Sequence, residues 1–324
     1  MRHSRYLIPL LLLTVLALGA ASCSEKKKES TSTSGIGRVA CDESFENILS
    51  EEIDVFEYIY PEASIMPYYV PEKAAFDSLL DRKVKCVIAS RELNAAEQEY
   101  LRSKKIPFYQ QQIAVDAVAL IVNPSNPVEQ LSTKDVVDIL TGTYTRWSDI
   151  EPCDLGDIQV VFDDQASSVV RYMRDSVMGG KPFGSNVFAQ KSSAKVFDVV
   201  AQKKDAIGII GVSWISYDLT NRDLDRQQRI ARLDTTDVTT VDFNEKIKVL
   251  AVQGETGYYK PYQAYLLNGE YPFHRPIYMI VSGANGSIDH GFFTFVTSFR
   301  GQKLILSTGV MPAVYSPTQQ VSIN

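Results

Sequence analysis

The chain has 324 residues, of which 45% are hydrophobic and 22% are charged, a composition that is ordinary for a globular protein. Its formal net charge is −6 at pH 7, which argues against a nucleic-acid-binding protein, because a basic face supplies most of the affinity for nucleic acid. The same net charge does not exclude a small anion at one local site.

The amino terminus has the three parts of a secretory signal peptide. Arg2 and Arg5 form a basic region, residues 7–18 form an apolar run, and small residues follow. The apolar run is too short, and wrongly flanked, for a helix that spans a membrane. We therefore predict a signal peptide over residues 1–22, and no later apolar run of the sequence is long enough to cross a bilayer.

Cys23 directly follows the small residues, a pattern that resembles a bacterial lipobox. Such a site implies cleavage before Cys23 and attachment of lipid to its sulfur; a plain signal peptide with an incidental cysteine is the alternative. Residues 24–35 are polar and rich in serine and threonine, so they cannot bury enough apolar surface to fold. We predict an extracytoplasmic lipoprotein whose residues 23–35 tether a folded body to a membrane.

From residue 36 onward the sequence alternates strand-like and helix-like segments. In chain order, the predicted strands cover residues 35–44, 64–70, 84–90, 111–124, 158–164, 206–214 and 275–283. The predicted helices cover residues 45–59, 71–81, 94–105, 132–142, 167–178, 193–204 and 290–309. This alternation predicts an α/β fold with mainly parallel sheets, in which ligands bind at the carboxyl ends of the strands.

The sequence lacks the usual catalytic and cofactor motifs. It contains no GxSxG, HExxH or GxxxxGK[ST] pattern, and His274 and His290 lie in different segments. Beyond Cys23 there are three widely spaced cysteines, Cys41, Cys86 and Cys153, which form neither a disulfide framework nor a CxxC metal motif. We therefore predict no metal, no cofactor and no enzymatic activity, with buried thiols at Cys41 and Cys86.

Three turns at the ends of strands carry hydroxyl or cationic side chains. Each has a simple structural explanation, because serine is a favoured N-cap and arginine often pairs with a surface acid. Together, however, free N–H groups, hydroxyls and guanidinium groups suit a buried oxyanion. A cation in the first turn of a helix also opposes the helix dipole unless an anion lies between them. The candidate residues are Ser44 and Phe45, Ser90 and Arg91, and Ser167, Ser168 and Arg171.

The order of these segments resembles the phosphate-binding proteins of bacterial ABC transporters, the PstS type of the type II periplasmic binding proteins. The resemblance rests on CDESFENI, IASRELNAAEQEYL, IAVDAVALIVNPSNPV, LSTKDVVDILTGTYTRWSDI, SSVVRYMRD, DAIGIIGVSWI and GQKLILSTGVMP, and it covers nearly the whole body. It implies two α/β lobes joined by two crossing strands. The first lobe would comprise residues 36–112 and 278–324, and the second residues 113–277.

The resemblance also implies a function. A member would bind inorganic phosphate or a similar oxyanion between its lobes, as a monomer, and deliver it to an ABC permease. The hydroxyls and N–H groups of the three turns would contact the ligand, with Arg171 as a clamp. Two alternatives stay open: presentation of another oxyanion or small organic anion to a sensor or envelope partner, and, more remotely, hydrolysis of a phosphoryl group.

The chain departs from the family at Arg91, at Phe162, and at Ala166 and Ser167, which replace an expected Ser-Gly pair. Arg91 stands where several members have an aspartate that accepts the proton of hydrogen phosphate, and Phe162 stands where members often have arginine. Phosphate keeps a proton at neutral pH and sulfate does not, so a site selective for phosphate needs an acceptor. We predict that Glu43 or Asp42 supplies it, with Glu43 favoured; the alternative is that both acids are only a solvated helix entrance.

Overall fold

The computed structural model describes residues 30–217, 226–233 and 242–314, so the predicted signal peptide and Cys23 lie outside the described residues. Within these ranges the strands are β1 (Gly35–Asp42), β2 (Ala63–Val70), β3 (Cys86–Ala89), β4 (Phe108–Val122), β5 (Gln130–Leu131), β6 (Gln159–Phe162), β7 (Val187–Ala189), β8 (Ala206–Gly211), β9 (Ser216–Tyr217), β10 (Asp242–Phe243), β11 (Lys248–Val249), β12 (Ala251–Gln253), β13 (Tyr258–Tyr259), β14 (His274–Ser282) and β15 (Met311–Pro312). The helices are α1 (Glu46–Ile59), α2 (Glu72–Leu80), α3 (Ala95–Ser103), α4 (Thr133–Thr141), α5 (Ser168–Tyr172), α6 (Ser193–Gln202), α7 (Arg226–Leu233), α8 (Gln263–Leu267), α9 (Ile288–Val296) and α10 (Phe299–Ser307).

A ten-stranded sheet organises the described part of the chain, in the order β2-β1-β3-β14-β4-β8-β6-β7, with β11 and β15 paired to β4. We call β1–β3 the first strand group and β6–β8 the second. Within the first group β1 pairs in parallel with β2 and β3, and within the second β6 pairs in parallel with β7 and β8. Each antiparallel pair of this sheet includes β4 or β14. The predicted α/β fold is confirmed.

Strand β4 connects the two strand groups. Along residues 108–117 it pairs with β14, and along residues 118–122 it pairs with β8. Residues 116–122 are buried, as expected for a strand that is covered on both faces. On the neighbouring strand, a Cβ at Gly208 would lie 2.8 Å from Val200 of α6, so glycine permits the close packing of this helix on the sheet.

Local signals fix the ends of several helices as the sequence predicts. Asn94 and Glu97 form the capping box of α3, in which each side chain accepts a hydrogen bond from the other residue's backbone N–H. Ser132 and Asp135 form a second capping box at the start of α4, and Gly142 ends this helix with a φ of 74°. Such bonds depend on residues only three apart, which is why the sequence predicts them well.

The predicted late helix over residues 290–309 is wrong in one respect: it is two helices. The chain is extended at Ser298 (φ −75°, ψ 167°), and the Ser298 Oγ accepts a hydrogen bond from the Gly301 backbone N–H at 3.4 Å. A serine side chain that binds nearby backbone favours a cap over a helix interior. The interruption therefore starts α10 as a new helix.

Residues 30–35, which we assigned to the tether, already contact the fold. The Ser30 Oγ accepts a hydrogen bond from the Ile288 backbone N–H at 3.2 Å. A Cβ at Gly291 would lie 1.7 Å from the Ser32 carbonyl oxygen, so only glycine allows this close approach. The folded body thus begins several residues before the predicted position 36.

The described residues show three free cysteines, of which Cys41 and Cys86 are buried and Cys153 is half-buried. Burial raises the pKa of the Cys41 and Cys86 thiols, as expected for apolar surroundings. Over the same ranges, none of the helices combines the length and the hydropathy that membrane crossing requires. These ranges also hold no group of three or more histidine, cysteine or acidic side chains arranged for a metal ion.

Candidate functional site

The turn after β1 is buried and carries the first candidate residues. An Asp42 carboxylate oxygen accepts a hydrogen bond from the Ser44 backbone N–H at 3.0 Å and so caps the start of the helical segment. The Ser44 Oγ donates to the Asp163 carboxylate at 3.4 Å, and the Trp214 indole N–H donates to the Ser44 carbonyl oxygen at 3.0 Å. Phe45 is fully buried beside them. This turn therefore contacts residues that follow β6 and β8 of the second strand group.

The turn after β6 faces it. The Ser167 Oγ donates to Asp163 at 2.5 Å and accepts from the Val170 backbone N–H at 3.2 Å, so Ser167 caps α5. The Ser168 backbone N–H donates to the Asp42 carboxylate at 3.2 Å. Asp42 and Asp163 thus each accept hydrogen bonds from residues of both strand groups, and we call this region of contact between the two groups the cleft.

A buried arginine lies next to these turns. The Arg275 guanidinium donates to the Ser168 Oγ at 2.6 Å and to one Asp116 carboxylate oxygen at 3.0 and 2.8 Å. Arg275 on β14 is the register partner of Asp116 on β4, and both side chains are 1% exposed. The guanidinium carbon also lies 4.7 Å from the centre of the Phe45 ring, in cation–π contact. Burial raises the pKa of Asp116, although the Arg275 charge opposes this shift.

A second cluster of side chains surrounds Ser90 at the end of β3. The Glu72 carboxylate accepts hydrogen bonds from the Ser90 N–H at 2.9 Å and from the Ser90 Oγ at 2.8 Å. It also accepts one from the Arg171 Nε at 2.8 Å, while an Nη of Arg171 donates to the Ser90 Oγ at 2.7 Å. Because Arg171 lies on α5, this cluster also joins the two strand groups.

Arg91 turns away from Ser90. Its two Nη atoms donate to the Glu97 carboxylate at 2.8 Å each, and its guanidinium carbon lies 3.6 Å from the centre of the Phe76 ring. The nearest Glu72 carboxylate oxygen is 3.9 Å from the Arg91 Nε. The Arg91 guanidinium group is therefore bound mainly by Glu97, with a longer contact to Glu72.

Glu43 reaches across the cleft to the start of α6. Its carboxylate accepts hydrogen bonds from the Ser193 backbone N–H at 3.0 Å and from the Ser193 Oγ at 3.0 Å. Burial raises the pKa of Glu43, while these two hydrogen bonds act in the opposite direction. Nearby, the Asn47 amide donates to the Ser213 carbonyl oxygen at 3.0 Å. Neither predicted acid is a solvated helix entrance: Asp42 is buried, and Glu43 is half-buried with its carboxylate bound to Ser193.

The Asp163 carboxyl group titrates much closer to neutral pH than an ordinary carboxyl group does. Burial raises the pKa of Asp163 to about 7, and the nearby charges of Asp42 and Glu43 act in the same direction. The Ser167 hydrogen bond and the Arg275 charge oppose the shift. A carboxyl group with this pKa is about half protonated at neutral pH, so it can give or accept a proton under physiological conditions.

A family comparison agrees with this arrangement of turns at the ends of strands. The profile of the PBP superfamily domain matches residues 26–300, most of the chain. The chain belongs to the PBP superfamily. This confirms the resemblance drawn from the sequence motifs.

Individual members of the PBP superfamily are distant in sequence. The chain is 25% identical over 335 residues to the phosphate-binding protein PstS of Pseudomonas aeruginosa, covering 93% of each chain. A stretch of 73 residues is 40% identical to phosphate-binding protein PstS 2 of Streptococcus agalactiae, covering 22% of this chain and 23% of that one.

Solved structures of the superfamily show the same fold. A phosphate-bound substrate-binding protein from Clostridium perfringens has a TM-score of 0.68 at 20% identity, covering 86% of this chain and 100% of that one. An ABC-type phosphate transport receptor from Vibrio cholerae has a TM-score of 0.61 at 18% identity, covering 85% and 99%. At these identities the likeness establishes the type II periplasmic-binding-protein fold.

Most of the candidate residues of this PBP-superfamily chain meet in the cleft. The hydrogen bonds that join the two strand groups involve Ser44, Ser90, Ser168, Arg171, Asp42 and Glu43. Ser167 donates to Asp163 and Phe45 contacts Arg275, whereas Arg91 is bound mainly by Glu97. Four further residues were missed. A signal existed for three of them: Asp116 and Arg275 interrupt apolar strands, and Asp163 directly follows one. Glu72 gave no signal, because an acid in the first turn of a helix is ordinary.

Proposed function

We propose that this protein is an extracytoplasmic binding protein that holds inorganic phosphate in the cleft between the two strand groups and delivers it to an ABC permease. One observation carries the proposal: hydroxyl groups from both strand groups converge on the Asp163 carboxylate, and the buried Arg275 guanidinium group binds the neighbouring Ser168 hydroxyl. Buried donors of these types are what a tetrahedral oxyanion requires. The names of the relatives from P. aeruginosa and V. cholerae support phosphate as the ligand, and they describe binding and transport proteins rather than enzymes.

The donors are placed for an anion that touches both strand groups. Ser44 contributes its hydroxyl from the first group, and Ser167 and Ser168 contribute theirs from the second. The Arg275 guanidinium group adds a buried positive charge next to these hydroxyl groups. A ligand held by these groups would keep the strand groups together, as lobe closure around a ligand requires.

We assign the role of proton acceptor to Asp163 rather than to Glu43 or Asp42. Asp42 already accepts from two backbone N–H groups, and Glu43 already accepts from Ser193. Among the described residues, the hydrogen bonds to the Asp163 carboxylate come from two hydroxyl groups, which can rotate to donate to a ligand instead. With a pKa of about 7, Asp163 is partly ionised at neutral pH, and its ionised form can accept a hydrogen bond from the protonated oxygen that phosphate has and sulfate lacks.

The proposal retains the membrane anchor and the domain division predicted from the sequence. A signal peptide over residues 1–22 and lipid on Cys23 would tether the folded body, which begins by residue 30. Residues 36–112 with 278–324 would form one lobe and residues 113–277 the other, as a monomer. The antiparallel pairing of β4 with β14 supports two crossing strands between them.

A different ligand is the second candidate. Five carboxylates, those of Asp42, Glu43, Glu72, Asp116 and Asp163, share three buried or half-buried guanidinium groups, those of Arg91, Arg171 and Arg275, and Arg91 is bound mainly by a sixth acid, Glu97. This excess of acids favours a ligand that carries less charge than a dianion, such as a singly charged oxyanion or a small organic anion presented to a sensor or envelope partner.

Equilibrium dialysis and calorimetry with the purified protein test both candidates. We expect phosphate to bind with one site per chain and sulfate to bind far more weakly at pH 7. A Ser44→Ala, Ser168→Ala double variant should lose most of the affinity, because each charge-assisted bond contributes about 1.5–3 kcal/mol. If phosphate, sulfate and small carboxylates all fail to bind at millimolar concentration, the proposal is wrong.

A further inference from the structure

The Glu72 carboxylate is held by donors from both strand groups. The Ser90 N–H and Oγ, at the end of β3, donate to one of its oxygens at 2.9 and 2.8 Å. The Arg171 Nε, on α5 after β6, donates to the other oxygen at 2.8 Å. Glu72 itself lies on α2 and is 4% exposed. The three residues therefore form a buried bridge across the cleft.

The direction of the Glu72 side chain is unusual for an acid at the start of a helix. Glu72 is the first residue of α2, where a carboxylate ordinarily interacts with the N–H groups of its own helix. The preceding residue, Pro71, makes no side-chain cap, and Glu72 nevertheless turns to Ser90 and Arg171. A backbone N–H, a hydroxyl and a guanidinium group around two anionic oxygens are the contacts that a bound oxyanion would receive.

We propose that Glu72 is an internal anion: it occupies the Ser90 and Arg171 donors and holds the two strand groups together until an oxyanion displaces it. For the identity of the displacing ligand, this rests on the proposed function. A second anion cannot share these donors with Glu72, because two negative groups at hydrogen-bond distance from the same atoms repel each other strongly where the carboxylate is buried. Glu72 would thereby weaken anion binding and keep the ligand-free cleft closed.

A purely structural ion pair predicts the opposite result. If Glu72 only orders Ser90 and Arg171 for the ligand, its removal should disorder these donors and weaken anion binding. If Glu72 competes with the ligand, its removal should free the donors and strengthen anion binding. The sign of the change in affinity therefore separates the two roles.

The test compares Glu72→Gln and Glu72→Ala with Asp77→Asn. Asp77 lies on the same helix, in an exposed ion pair with Lys73, so its substitution removes the same charge outside the cleft. By calorimetry with inorganic phosphate, we expect both Glu72 variants to bind about ten- to a hundredfold more tightly than the unmodified protein, which corresponds to one or two freed charge-assisted bonds. Asp77→Asn should bind as the unmodified protein does, and Arg171→Ala added to Glu72→Gln should abolish the gain.

A second measurement needs no ligand. The Ser90 amide hydrogen is bonded to Glu72, so in phosphate-free protein its exchange with solvent should be at least about tenfold faster in Glu72→Ala than in Asp77→Asn. Small-angle X-ray scattering should show a larger radius of gyration for the same variant. If Glu72→Ala does not fold, Glu72→Gln, which keeps the shape of the side chain, serves for both measurements.

The outcomes distinguish the two proposals. Equal or weaker phosphate binding by the folded Glu72 variants would overturn the role of Glu72 while leaving phosphate binding intact. If no form of the protein binds phosphate, the proposed function fails, and the ligand-free measurements decide on Glu72 alone. Unchanged amide exchange with an unchanged radius of gyration would overturn the proposed role of Glu72. Faster exchange with a larger radius would support that role.

Discussion

Replacement of Asp163 by asparagine should stabilise the protein at neutral and alkaline pH. The pKa of Asp163 is about 7 in the folded protein, against about 3.9 for an unperturbed aspartate. Because the folded state holds the Asp163 proton more tightly than the unfolded state, the contribution of Asp163 to stability is greatest below about pH 4 and falls as the pH rises to about 7. A difference of about three units corresponds to a loss on the order of 4 kcal/mol, which Asp163→Asn removes because asparagine does not ionise.

Urea unfolding at several pH values measures this effect. We expect Asp163→Asn to exceed the unmodified protein in unfolding free energy at pH 8, with the difference shrinking progressively toward pH 4. Asp164→Asn is the matched control, because the Asp164 carboxylate accepts from the Ala166 N–H in the next turn and not from the buried serines. A variant that is less stable at pH 8 by the same amount as at pH 5 would refute the assigned protonation of Asp163.

Three further predictions concern other buried or half-buried charges. Arg275→Met should lower the unfolding free energy by about 3–5 kcal/mol, because it leaves Asp116 buried without its partner, and Asp116→Leu in the same chain should restore much of the loss. Glu52 is buried, and neither carboxylate oxygen has a hydrogen-bond partner among the described residues. Burial raises its pKa well above the usual range, so Glu52→Met should add about 1–3 kcal/mol at pH 8 and less at acidic pH, where the carboxyl is protonated. Arg91→Ala should change phosphate affinity by less than about threefold, because the Arg91 fork binds Glu97.

Each of these predictions has a result that would contradict it. A loss below about 1 kcal/mol for Arg275→Met would show that Asp116 has no need of this partner. A destabilised Glu52→Met protein at pH 8 would mean that the Glu52 carboxylate is well solvated or paired. A large loss of phosphate affinity in Arg91→Ala would place Arg91 at the ligand, as the family resemblance first suggested.

The sequence predicts best what depends on neighbouring residues. The capping box of α3 and the serines at the ends of β1, β3 and β6 follow from patterns a few residues long. Where the direction of a long side chain matters, the same reasoning fails. Arg91 follows β3 and Arg171 lies on α5 shortly after β6, yet Arg91 binds Glu97 and Arg171 crosses to Glu72. Only the packing of the whole chain decides between such partners.

The buried charges illustrate a second reason. Asp116 and Arg275 are 159 residues apart and become partners through the register of β4 and β14. In the sequence, Asp116 or Arg275 taken alone is only a charged residue in a largely apolar strand. Likewise, the raised pKa of Asp163 depends on burial and on two acids from the turn after β1, so its protonation cannot be read from the residues around it in the sequence.

At the proposed site, the acids would make phosphate binding an exchange of acceptors rather than the filling of a positive pocket. Donors such as the Ser168 N–H and the Ser44 hydroxyl already bind Asp42 and Asp163. A ligand gains only the difference between its own hydrogen bonds and those that it replaces. Phosphate can offset the resulting repulsion by donating a hydrogen bond to the ionised Asp163 carboxylate, whereas sulfate has no proton with which to donate one. An acid-rich cleft therefore lowers the affinity for every anion, but it lowers the affinity least for an anion that carries a proton.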